Sequence, residues 1–185
     1  MKLLLHICCA PCSIMCIETL RGEGIEPVGF WDNPNIHPFT EFRMRRNTLV
    51  DYAKEIELSL VVEGGYGLRP FLEAVGGDFD GRCPVCYRLR MRSAARYAAE
   101  NGFTHFTTTL LISPYQNHEL LAQTVREAAE EFGVAFLYRD FRPFFREGQD
   151  RARAMGLYMQ KYCGCIFSEE DRYRKRKKPP KKEEA

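Results

Sequence analysis

The sequence predicts an α/β protein, a parallel sheet of about five strands flanked by helices. Two observations predict it. Short apolar runs rich in β-branched and aromatic residues recur along the chain, and longer amphipathic stretches lie between them. Strands that alternate with helices build a parallel sheet covered on both faces. A third observation says where chemistry should sit. Cysteines follow directly on the first apolar run, and open α/β sheets bind ligands at the carboxyl ends of their strands.

In order, residues 2–7 read as a buried strand, and 27–31, 58–62, 106–110 and 134–138 as four more. A helix over 13–22 stops at Gly22. A second over 39–56 has apolar residues at helical spacing. A third over 83–101 closes at Asn101-Gly102, and a fourth over 117–132 closes at Gly133. Further helices are expected over 151–160 and 168–178. The chain shows no internal repeat.

The 185 residues are 45% hydrophobic and 28% charged, enough for one globular domain with a real core, placed at 1–171. The net charge of +2 conceals an asymmetry. Residues 172–185 hold eight Lys/Arg and two Glu, or +6, which leaves −4 in the body. This basic tail reads as disordered, and its composition also suits phosphate contacts with nucleic acid. Met1-Lys2-Leu3-Leu4-Leu5 is too short an apolar run for a signal peptide, and no stretch is long enough to span a bilayer. A cytoplasmic protein without membrane contact is expected. There thiols stay reduced and cysteine clusters mean metal or redox chemistry.

Eight cysteines dominate the chain. Cys8, Cys9 and Cys12 follow the first strand, Cys83 and Cys86 form a CxxC pair, and Cys163 and Cys165 a CxC pair. Cys16, one turn after Cys12, reads as a small buried apolar residue. The other seven are too clustered for that. Four would satisfy structural zinc, and the surplus points to a second centre or a working dithiol. A [4Fe-4S] cluster needs four thiolates from more than one segment; Cys8, Cys9, Cys83 and Cys86 make an economical set. Cys163 and Cys165 then chelate a second metal, iron or zinc, or cycle between dithiol and disulfide, and Cys12 can serve either centre. The dipole of a helix that opens at Cys83 favours a thiolate there. The chain has no Walker motif and no GxGxxG, which disfavours ATP chemistry.

These residues form a recognisable pattern. The chain resembles the QueH family of cobalamin-independent epoxyqueuosine reductases. The resemblance rests on His6-Ile7-Cys8-Cys9-Ala10-Pro11-Cys12-Ser13, Asn33-Pro34-Asn35-Ile36-His37-Pro38, Arg82-Cys83-Pro84-Val85-Cys86-Tyr87-Arg88, Asp140-Phe141-Arg142 and Tyr162-Cys163-Gly164-Cys165, in order over nearly the whole chain before the tail. It implies the PP-loop (HUP) nucleotide-binding fold without its ATP loop. It also implies a two-electron removal of the epoxide oxygen of epoxyqueuosine at the tRNA wobble position. The implied cofactors are a [4Fe-4S] cluster with an adjacent metal ion or cysteine pair. The implied partners are the tRNA anticodon stem-loop and an electron donor that the sequence does not identify.

On that reading Cys163, Cys165 and Cys12 work beside the cluster. Asp140, or Asp32, protonates the leaving oxygen. His6 and His37 are ligands, proton donors or scaffold. Asn33 and Asn35 read a base edge or stabilise a turn. Arg43, Arg45 and Arg46 form one basic group, and Arg88, Arg90 and Arg92 another in which Arg88 and Arg92 share a face and Arg90 opposes them. Rival readings are a PP-loop iron–sulfur tRNA thiolation enzyme, a zinc-stabilised RNA-binding module and a thiol–disulfide oxidoreductase.

Overall fold

The computed structural model describes residues 1–174. The run Leu3-Leu4-Leu5-His6 is buried at every position, as a strand covered on both faces must be. It forms β1 (Leu3–His6). Four more parallel strands follow: β2 (Val28–Trp31), β3 (Leu60–Val62), β4 (His105–Thr108) and β5 (Ala135–Phe136). The sheet order is β3-β2-β1-β4-β5. Leu5 pairs with Gly29 on one side and Thr107 on the other. The chain therefore runs outward from β1 to one edge, then returns to build the other half. That reversal opens a crevice at the carboxyl ends of β1 and β4.

The helices are α1 (Ala10–Gly22), α2 (Phe39–Glu55), α3 (Leu68–Val75), α4 (Arg82–Glu100), α5 (His118–Phe132), α6 (Phe145–Ala154) and α7 (Ile166–Tyr173). α1 packs on α2 and α6, and α4 packs on α5, β1 and β4. Between these layers the core includes Leu4, Phe30, Trp31 and Phe106, each at most 1% exposed. Burying each such side chain is worth about 1.5–3 kcal/mol. The Asn117 side chain caps α5 by accepting from the Leu120 amide at 3.1 Å, and Gly133 ends the helix at φ +67°.

Besides small shifts of strand and helix ends, several elements differ from the sequence expectation. The helix expected over 151–160 is α6, which starts earlier, after a 3-10 turn at Arg142–Phe144 that contains Pro143, and ends before Gly156 at φ +67°. Residues 155–160 are therefore free to run back toward α1. α3 was not expected; it is amphipathic, but its eight residues between glycine-rich loops span barely two turns. β4 is shorter than 106–110 because the chain turns into a 3-10 helix at Thr109–Ile112. Of the helix expected over 168–178, α7 supplies the first part. The tail beyond Arg174 lies outside the described residues.

Candidate metal centre

β1 ends at His6, and the chain turns at Cys8 and Cys9 into α1, whose N-cap is Cys9. The Cys8, Cys9 and Cys12 sulfurs all lie within 4.8 Å of one another, and all three residues are buried. The amide of Cys8 donates to Thr109 Oγ1 at 3.2 Å, and that hydroxyl donates to Cys8 Sγ at 3.5 Å. Bonds from Cys12 and Cys9 hold the Cys8 thiol well below its ordinary pKa, against burial and with help from Arg90 and Thr109. Cys12 is raised because it donates to Cys8, and Cys9 is raised by burial. Gln160 Nε2 donates to Cys9 Sγ at 2.9 Å and to Cys12 Sγ at 3.3 Å. A three-thiol nest of this kind at a helix N-terminus suits a soft metal ion.

The other four clustered cysteines are linked through Cys165. Cys86 and Cys165 join the same buried patch with Phe71 and Val75. Cys163 and Cys165 are hydrogen-bonded; the bond lowers Cys163 to about 6 and raises Cys165. Cys83 opens α4 as expected, yet burial of its thiol raises its pKa, with Cys165 and Asp171 adding and Arg82 opposing. Cys8, Cys9 and Cys12 form one close group, while Cys86 packs against Cys165, which bonds Cys163, and Cys83 lies within electrostatic reach of Cys165. The sequence expectation sets Cys8, Cys9, Cys83 and Cys86 on a cluster and Cys163 and Cys165 on a second metal or dithiol, with Cys12 open to either.

A buried clamp holds the Cys163-Gly164-Cys165 loop. Arg45, 2% exposed, donates to the carbonyls of Tyr162 at 2.9 Å and Cys163 at 3.1 Å. Glu41 accepts from Arg45 Nε at 2.7 Å and from the Tyr158 hydroxyl. The His37 amide donates to the Gly164 carbonyl at 2.8 Å, and the Tyr162 hydroxyl donates to the His37 carbonyl at 2.6 Å. Gly164 has φ +138°, and a Cβ there would stand 3.2 Å from Ile36 and 3.3 Å from Arg45.

Both thiol groups open on one cavity of about 620 Å³, within the range of small-molecule sites. Cys8, Cys12 and Cys163 line it. So do Tyr115 and Phe145, whose rings meet edge to face at 5.8 Å, and Arg153, Lys161 and Arg172. Asp140 does not line it. It is ion-paired with Arg142 at 2.6 Å, which holds its carboxyl at about 2. Asp32 accepts from the Ser93 hydroxyl and faces a different cavity. Asn33 is a scaffold bolt: its amide donates to the Ile7 carbonyl at 2.9 Å and its oxygen accepts from Arg90 at 2.7 Å. Asn35 is 1% exposed. Burial lowers His6 to about 3 and His37 to about 4, so both are neutral near pH 7. Cys16 is fully buried, as expected. Arg90 is buried and Arg88 and Arg92 are exposed, the expected opposition of faces.

Sequence reasoning missed Gln160, Thr109 and the Glu41–Arg45–Tyr158 clamp. Gln160 had one usable signal, its position three residues before Cys163. The clamp had none, because its members are separated by up to 117 positions.

Fold and site together define an α/β protein with a five-stranded parallel sheet and a buried three-cysteine group able to hold a metal ion. The sheet reaches its reversal point with cysteines where a nucleotide enzyme would place glycines. Comparison with known proteins narrows this. Residues 3–171 match the family described as epoxyqueuosine reductase QueH, and the chain belongs to that family. A QueH from Dehalococcoides mccartyi is 35% identical over 96% of this chain and 98% of its own. One from Thermotoga maritima is 33% identical over 89% of this chain and 88% of its own. Among solved structures, a predicted subunit of a tRNA methyltransferase from Methanocaldococcus jannaschii shares the fold, with TM-score 0.51 at 9% identity, covering 83% of this chain and 88% of that one.

Proposed function

We propose that this protein, as an epoxyqueuosine reductase, removes the epoxide oxygen of epoxyqueuosine at the tRNA wobble position inside the cavity that Cys8, Cys12 and Cys163 share. That shared wall is the observation that carries the reading. In the reaction both epoxide C–O bonds break, a C=C bond forms, and the oxygen leaves as water. Two electrons and two protons are consumed.

The donor sets fit the groups such a reaction needs. Cys83, Cys86, Cys163 and Cys165 would hold a [4Fe-4S] cluster, whose usual ligands are four thiolates. Cys8, Cys9 and Cys12 would hold an additional iron or zinc ion, as catalytic sites use three protein ligands and leave a position open. When bound, these groups supply single electrons and a Lewis acid.

The chain's own residues do the rest. Tyr115 and Phe145 offer flat surfaces against a base that an anticodon loop already presents unpaired. Arg153 and Arg172 meet phosphate. Lys161, in the same wall, holds a proton for the departing oxygen. The Asp140–Arg142 pair stays at the surface, outside this wall. Gln160 fixes the Cys9 and Cys12 sulfurs. Eight free cysteines suit a reducing cytoplasm.

Iron and sulfide analysis of anaerobically reconstituted variants tests the assignment. Cys83→Ala should lose sulfide. Cys8→Ala should keep sulfide and lose one metal ion per chain. Equal sulfide loss in both would overturn the division.

A further inference from the structure

A second cavity, about 590 Å³, opens between α3 and α4. Its floor is apolar, built from Pro70, Phe71, Val85 and Phe132. Its rim carries Arg88, Arg92 and Arg96, four residues apart on one exposed face of α4. Two carboxylates stand near this rim: Glu131 pairs with Arg92 at 2.5 Å, and Asp32 lines the groove with only a hydroxyl donor, from Ser93. Arg88 and Arg96 have no ion-pair partner among the described residues. The groove is therefore an apolar slot whose edge sets three guanidinium groups against two carboxylates and stays net positive.

Its place in the molecule matters more. Phe71, Val75 and Cys165 form one buried patch, with Val85, Cys86 and Phe167 packed against it. Phe71 and Val85 also line the groove, while Cys163 lines the substrate cavity. One layer of side chains thus separates the arginine groove from the four-cysteine group, and that group's other side faces the substrate.

We propose that this groove docks a small acidic one-electron carrier protein, which passes electrons across the Phe71–Val85 layer to the four-cysteine group. This rests on the reductase reading above. Charge complementarity selects an acidic partner. The substrate cavity has its own Arg153, Lys161 and Arg172, so the RNA is served on the opposite side. The chain has no GxGxxG to bind a dinucleotide reductant. Each docking transfers one electron and leaves the carrier oxidised by one. Two dockings and two protons convert one epoxide to one alkene and one water.

The test uses the full chain, reconstituted anaerobically, and the variant R88E/R92E/R96E, with R88Q/R92Q/R96Q as a milder control. Turnover on tRNA carrying epoxyqueuosine is measured with reduced [2Fe-2S] ferredoxin and, separately, with dithionite. Binding of redox-inert gallium-substituted ferredoxin to unmodified protein and to both variants is followed by calorimetry at low salt. The expected result is roughly a tenfold or greater loss of ferredoxin binding and ferredoxin-driven rate in the charge-reversed protein. The Gln variant should be intermediate, and dithionite-driven rate and tRNA affinity unchanged. Undiminished ferredoxin binding in the charge-reversed variant overturns the proposal. So does a parallel loss of tRNA affinity and dithionite-driven rate, which would make the groove an RNA surface. Failure of the reductase reading shows separately, as no turnover of unmodified protein with either reductant, while the binding arm still decides the docking claim.

Discussion

Arg45 donates to the carbonyl of Cys163 at 3.1 Å, from a position 118 residues earlier in the chain. Helix α2 thereby grips the loop that carries the last cysteine pair, and Glu41 neutralises the guanidinium that does so. A buried charge pair is tolerated when its remaining donors and acceptors are satisfied, and here backbone carbonyls and the Tyr158 hydroxyl satisfy them.

Replacing Arg45 with Ala strands the Glu41 carboxylate in the interior. The expected cost is about 3–5 kcal/mol of unfolding free energy, read from urea denaturation of the metal-free protein. A loss under about 1 kcal/mol would mean that the pair behaves as a surface one.

Gly164→Ala puts a Cβ at φ +138° against Ile36 and Arg45. Strain of this kind costs about 1–3 kcal/mol. The loop should shift, and iron content after reconstitution should fall while far-ultraviolet circular dichroism is kept. Wild-type iron content in this variant would contradict the close fit.

Gln160→Leu removes the donor to Cys9 and Cys12. Groups that orient metal ligands are worth about 10–100-fold in metal affinity. A competition titration with a chromophoric zinc chelator should show a weakening of that order at the three-cysteine site. An unchanged affinity would show that the Gln160 contacts do not orient the sulfurs.

Burial holds His6 at about 3 and His37 at about 4, below the 6.5 of free imidazole. The unfolded chain therefore binds more protons than the fold as pH falls from 6.5 to 4. Stability is complete above pH 6.5 and declines through that window. Each histidine contributes a slope of about 1.4 kcal/mol per pH unit well below 6.5. Urea midpoints of the metal-free protein at pH 7, 6 and 5 measure this; a flat profile would mean that the imidazoles are protonated in the fold.

Much of the fold was legible because its signals are local. Asn117 and Gly133 bracket α5, and the all-apolar Leu3-Leu4-Leu5 run announces a doubly covered strand. The α6 boundary was misplaced because Gly156, a stop signal, lay inside the expected helix. The cysteines were legible as residue types and as a site at the end of β1. That Cys12 closes on Cys8 and Cys9 was not legible, because side-chain directions at these three depend on how α1 leaves the strand. Gln160 reaches those sulfurs only after α6 has ended early. The arginine face of α4 was legible from spacing alone, and its proximity to Phe71 was not, because α3 itself was unseen.

Epoxide reduction in the cavity shared by Cys8, Cys12 and Cys163 is read out by nucleoside mass analysis. Anaerobically reconstituted protein with verified iron and sulfide is given dithionite and tRNA carrying epoxyqueuosine, and the digested nucleosides are weighed. The expected product is a nucleoside lighter by one oxygen atom, absent with Cys8→Ala and with Cys163→Ala. Unchanged epoxyqueuosine in the presence of fully loaded wild-type protein would contradict epoxide reduction.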